Sequence, residues 1–121
     1  MREIKFRGKD RRIGKWYYGN LYVDEIHGRT YIRTHKPGCL DVDPETVGQF
    51  TGLMDKNGAE IYEGDIVQCG TFRYEVIYEG SRFASFALKR KEDTFLHYFG
   101  EAMESAECEV ISNIHDNTIH N

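Results

Sequence analysis

The residues with the most chemistry to offer lie near the N-terminus. Lys5, Arg7, Lys9 and Arg11 recur at every second position, so an extended chain would carry all four on one side. A few residues on, Trp16-Tyr17-Tyr18-Gly19-Asn20-Leu21-Tyr22-Val23 is dense in aromatic rings. Cations beside aromatic faces are how proteins track single-stranded nucleic acid, with phosphates on the cations and bases on the rings. The same residues also have plainer uses. A basic strand face can simply be solvated, and large rings fill the core of a small β protein. Lys5, Arg7, Lys9, Arg11, Trp16 and Tyr18 are therefore the candidates for contact with a partner.

Catalytic patterns are hard to find. No Ser or Thr lies in a nucleophile elbow, and no His–Asp pairing can be read from spacing. Gly48 and Gly52 lack the lysine and helix of a phosphate loop. Glu63 and Asp65 flank Gly64 and could act as an acid pair, but carboxylates in such bends more often bind turn amides. Asp41, Asp43 and Glu45 alternate like the opening of a calcium loop, without its glycine or closing glutamate. His27, His35, His97, His115 and His120 are scattered. The expectation is a non-enzyme with no catalytic residues, no metal site and no cofactor.

Cys39, Cys69 and Cys108 are odd in number and widely spaced, with no CxxC. This predicts reduced cysteines and a reducing, cytoplasmic setting rather than a disulfide scaffold. No apolar run approaches the roughly 18 residues of a membrane span, and the basic N-terminus is followed by no apolar signal region. The chain has 121 residues, 40% of them hydrophobic and 13% aromatic. That is enough for one domain or two tightly joined subdomains.

Charge is unevenly spread. Residues 1–15 hold seven Lys or Arg against two carboxylates, a net +5, whereas the remainder holds nine basic and eighteen acidic residues, a net −9. An acidic whole disfavours loose, charge-driven binding to nucleic acid. A basic end and an acidic remainder can instead attract each other, within one chain or between copies.

The elements that must position these residues read as strands. Ile4 and Phe6 alternate with Lys5 and Arg7, a period of two. A charged turn at residues 11–15 leads to the aromatic strand, where Gly19 suggests a bulge or a close backbone approach. His27-Gly28 turns the chain into a partner strand over 29–34. A loop at 35–39 precedes a short strand over 46–50. Asp55-Lys56-Asn57-Gly58 is a turn cluster, because Asn-Gly tolerates positive φ. Glu63-Gly64-Asp65 bends the chain again. Asn57, Gly58, Gly64 and Asp65 are thus structural turn residues. Strands follow at 66–69, 72–78, 83–88 and 94–99, with turns at 79–81 and 89–93. Phe99, Ala102, Met103 and Ala106 have the spacing of a short helix, and a last strand covers 109–114. The prediction is mainly β: a small N-terminal antiparallel sheet over 1–58, then a roll over 59–121 with one short helix and a short disordered tail. Five short strands with a helix before the last match an SH3-like roll.

Several runs resemble the YopX family of phage and prophage proteins. They are Gly48-Gln49-Phe50-Thr51-Gly52-Leu53, Asp55-Lys56-Asn57-Gly58 and Ile61-Tyr62-Glu63-Gly64-Asp65-Ile66-Val67. The opening Met1-Arg2-Glu3-Ile4-Lys5-Phe6-Arg7 and the late Glu109-Val110-Ile111-Ser112-Asn113-Ile114-His115-Asp116 are similar to that family as well. Gly8-Lys9 departs from the family, where a small residue and then an aromatic are common. The resemblance implies an SH3-like C-terminal roll and a phage or prophage origin. It brings no catalytic residues, because the family has no assigned activity. Exposed sheet edges predict a homo-oligomer, alongside an unidentified phage or host protein as partner. Nucleic acid is the alternative partner, and a membrane is not expected.

Overall fold

Period-two alternation and a wealth of β-branched and aromatic residues favour pleated strands over helix. The computed structural model describes residues 3–35, 38–79, 85–90, 96–98 and 105–116. It is mainly β, with 65% of the described residues in strands of two antiparallel sheets. The chain divides into two compact units, residues 1–50 and 51–121. The boundary falls inside a strand, and Asn57-Gly58 lies within the second unit. No helix among the described residues is long and apolar enough to cross a membrane.

The first unit contains β1 (Phe6–Lys9), β2 (Trp16–Asp24), β3 (Arg29–Arg33), β4 (Cys39–Asp41) and the start of β5 (Asp43–Met54). β1 pairs with both β2 and β5, and β3 pairs with both β2 and β4. Only Val42 separates β4 from β5, so the five strands curl until the first and last meet. Val42 also donates its N–H to the Thr30 carbonyl at 3.0 Å. Ile32 and Val42 are buried inside the curl. Two glycines allow the tight curvature. A Cβ on Gly8 would lie 2.7 Å from Val42 Cγ2, and one on Gly19 would run into the Arg33 carbonyl oxygen. Gly19 is therefore the close approach its place in β2 suggested. Gly8 makes room for Val42.

β5 is twelve residues long, not the short strand expected over 46–50. Its two halves find different partners, β1 for the first and β6 (Glu60–Tyr62) for the second. Thr51 Oγ1 donates to the Ile61 carbonyl at 2.8 Å in the second half.

The second unit adds a five-stranded sheet in the order β10-β9-β8-β7-β11. Its strands are β7 (Asp65–Cys69), β8 (Phe72–Glu79), β9 (Ser85–Lys89), β10 (Leu96–Tyr98) and β11 (Cys108–Asn113). A 3-10 turn at Ser105–Glu107 precedes β11. The rest of the expected helix, residues 99–104, lies outside the described residues, as do the turn positions 80–81 and 91–93. Ile61, Val67, Tyr74, Val76 and Leu88 form the core with Cys69 and Cys108. Tyr74 and Val76 are buried, but Phe72 and Tyr78 on the same face of β8 are about half exposed, because they sit at its ends.

The cysteine expectation is corrected here. Cys69 and Cys108 form a disulfide, and only Cys39 is free, and exposed. Antiparallel register sets the two residues opposite each other, with Cα atoms 4.4 Å apart, the spacing of a non-hydrogen-bonded cross-strand pair. A separation of 39 residues hides that proximity in the sequence. The inference of a reducing compartment from unpaired cysteines loses its basis.

Two carboxylates organise the turns. Asp55 is 6% exposed. Its Oδ1 accepts the N–H groups of Asn57 and Ala59 at 2.8 and 2.9 Å, and its Oδ2 accepts that of Val110 at 2.9 Å. Burial on its own would raise its pKa, but the three backbone donors outweigh burial and hold it below its ordinary value. Asp65 is 1% exposed, and its Oδ2 accepts the Tyr62 N–H at 2.7 Å, the turn role rather than an acid pair. Gly64 lies between two strands: its N–H donates to the Val76 carbonyl at 2.8 Å and its carbonyl accepts the Ile114 N–H at 2.9 Å. Gly58 and Gly64 have φ of 82° and 94°, where a side chain is strained.

Gly58→Val and Gly64→Val should each lower stability by about 1–3 kcal/mol, with Gly64→Val the worse. Thermal melts of both variants check this. Asp55→Asn should cost about 2 kcal/mol by leaving a buried N–H facing an amide N–H2. Because folding lowers the Asp55 pKa, its stabilisation is complete above its unfolded value near 3.8. It is lost as pH falls through the lower folded value. The parent should therefore lose more stability than Asp55→Asn below that pH, as urea melts at a series of acid pH values would show. The oxidised, unfolded protein should titrate as a single thiol. Cys69→Ser with Cys108→Ser should cost about 3–4 kcal/mol, by the entropy of the loop released. Three titratable thiols would overturn the pairing.

Candidate functional site

Antiparallel register decides which of the candidate residues meet. β1 sets Arg7 opposite Tyr18 and Lys9 opposite Trp16. Facing residues share a side of the sheet, so these four stand together on the outer face of the first unit, away from Ile32 and Val42. β2 extends the same face through Asn20 and Tyr22, which lie opposite Arg33 and Tyr31 of β3. The face thus runs through Lys9, Arg7, Trp16, Tyr18, Asn20, Tyr22, Tyr31 and Arg33, with Asp24, Asp41 and Asp43 at its margins, opposite Arg29, Tyr31 and Lys9.

Its members differ in depth. Arg7 is only 5% exposed. Its guanidinium carbon lies 4.7 Å from the Trp16 ring centroid, and Lys9 Nζ lies 5.8 Å from the same ring. A desolvated cation over an indole face is worth about 2 kcal/mol, so Arg7 and Trp16 form the floor of the face rather than its contact surface. Lys9 is further held by its backbone N–H, which donates to Thr46 Oγ1 at 2.9 Å. Tyr18 and Tyr22 are 47% and 50% exposed. The Tyr22 and Tyr31 rings lie 6.0 Å apart at 30°. The aromatic strand therefore does not fill the core; its largest side chains lie on the outer side or stay half-buried.

Lys5 and Arg11 stand apart from this group. Lys5 Nζ lies 5.4 Å from the Phe50 ring centroid and 3.6 Å from Glu3 Oε2. Arg11 sits in the β1–β2 turn, 3.9 Å from Asp43. Asn57, Gly58, Gly64 and Asp65 are in the second unit with the backbone roles already described. Tyr22 carried a sequence signal through its place in the aromatic run. Tyr31 and Arg33 carried one only through the hairpin register, which fixes their partners across β2.

A His–Asp pair that spacing did not reveal lies in the β2–β3 turn. His27 Nδ1 is 2.8 Å from Asp24 Oδ2, and this contact comes first among the causes that lower the Asp24 pKa. Asp24 Oδ1 accepts the N–H groups of Ile26 and His27, so the carboxylate serves the turn. Asp41 and Asp43, read as the start of a calcium loop, face Arg29 and Arg11 instead. Among the described residues no group of three or more His, Cys, Asp or Glu is placed to hold a metal ion.

The face presents exposed rings on a sheet, flanked by cations. Comparison with curated proteins found no match. The family described as YopX protein matches residues 5–119, which takes in both units, the outer face and both glycine turns. The chain belongs to the YopX family.

Proposed function

We propose that this chain is a non-enzymatic phage or prophage accessory protein that binds a macromolecular partner, a further copy of itself included, through the outer face of its first unit. What supports the reading is the row of exposed Tyr18 and Tyr22 beside Tyr31 and Arg33. Tyr, Trp and Arg are the residues enriched where protein surfaces meet. Self-association has a further argument in charge, because the +5 N-terminal segment and the −9 remainder are complementary. Such a contact is head-to-tail and closes into a ring when the rotation permits.

A second reading rests on the cations that stand among the rings at the centre of that face. Rings alternate there with Lys9, Arg33 and the Asn20 amide, a surface on which single-stranded bases can stack while cations meet phosphates.

Tyr18→Ser with Tyr22→Ser separates the two readings without touching the core. Light scattering of the parent should give a mass above that of the monomer, and the double variant should shift toward monomer. A monomeric parent at high concentration ends the self-association reading. For the second reading, a labelled oligothymidine should bind more weakly as salt rises. The double variant should lose about 1–3 kcal/mol per ring. Binding indifferent to both salt and the tyrosines excludes nucleic acid as the partner of this face.

A further inference from the structure

A second basic feature of the first unit lies beside its turns and does not depend on what the outer face binds. The β1–β2 turn and the start of β3 border an open cavity of about 680 Å3, lined by Arg11, Arg12, His27, Arg29, Asp10 and Asp41 among others. That size is in the range of small-molecule sites. Three arginines from two separate elements line it.

The two carboxylates in the lining are already engaged. Asp10 Oδ1 accepts the N–H groups of Arg12 at 2.7 Å and Ile13 at 3.1 Å. The Ile13 bond and then the Arg12 bond hold its carboxyl below the usual range. Asp41 Oδ2 accepts from Arg29 at 3.2 Å. Among the described residues no carboxylate lies within ion-pair distance of the Arg12 side chain. His27 has its Nδ1 held by Asp24, which leaves its Nε2 for another group.

We propose that this cavity binds a phosphate-bearing ligand, with Arg12 and Arg29 as its principal contacts and Arg11 and His27 at its rim. Guanidinium forks match phosphate oxygens two at a time. A diphosphate can engage two forks at once, so pyrophosphate is the minimal probe.

Backbone amide shifts of Arg12, Gly28 and Thr30 should move and saturate as pyrophosphate is added. Arg12→Ala with Arg29→Ala should weaken binding at least about tenfold. Arg73→Ala with Lys89→Ala, which removes the same charge from the second unit, should leave it unchanged. So should Tyr18→Ser with Tyr22→Ser, which separates this site from the outer face. Thermal melts accompany each variant. If the Arg12, Arg29 pair melts early, Arg12→Ala alone carries the test, because it breaks no ion pair. No saturation by roughly 10 mM pyrophosphate, no loss in the arginine variants, or an equal loss in the Arg73, Lys89 control overturns the proposal. Parallel titrations with a nucleoside diphosphate and with oligothymidine distinguish the sources. The one whose binding depends on Arg12 and Arg29 supplies the phosphate.

Discussion

The carboxylate of Asp55 joins a local turn to a strand that begins more than fifty residues later. One oxygen closes the Asp55–Gly58 turn by taking the N–H groups of Asn57 and Ala59, while the other takes the N–H of Val110 in β11. The Lys56 N–H donates to the Cys108 carbonyl beside it. The start of β11 is thereby aligned against the turn, and the pairing of β11 with β7 sets Cys108 opposite Cys69. A buried carboxylate is tolerated because its acceptor capacity is filled by fixed donors. Remove the charge and three backbone groups lose their strongest acceptor at once.

The first unit depends on a different constraint, which is space. Its sheet can curl only where two strands lack side chains, at Gly8 and Gly19. The curl admits Ile32 and Val42 to its interior. Tyr17, opposite Gly8, takes the inner side, while alternation along β2 places its even-numbered rings outside. Once there, Trp16 recovers part of the lost burial by stacking on Arg7, while Tyr18 and Tyr22 remain half in water. Strand alternation thus leaves an aromatic row on the outside of a curved sheet.

Two surfaces of the first unit follow from its hairpins. The strand face is dominated by rings with a few cations, whereas the turn-flanked cavity gathers Arg11, Arg12 and Arg29 beside Asp10 and Asp41. They differ in chemistry because strands expose side chains in a fixed alternation, while the turns gather short polar residues that cap their own amides. Asp10 and Asp24 each spend one oxygen on two backbone N–H groups, while their charges still act on Arg12 and Arg29.

Much of the fold was legible in the chain itself. Alternation marked β1 and β8, runs of aromatic and β-branched residues marked β2, β3 and β7, and glycine in polar clusters marked the turns at Gly28, Gly58 and Gly64, because backbone preference acts over a few residues. The runs around residues 48–67 and 109–116 carried the family. Register was not legible. Whether Arg7 is solvated or sealed under Trp16, whether Tyr31 and Arg33 join Tyr18 and Tyr22, and whether Cys69 meets Cys108 all depend on which residues face each other across strands. The same holds for the full length of β5, whose ends pair with different strands. Those pairings are set by packing and hydrogen bonds between segments far apart in the chain, and only the tertiary structure decides them.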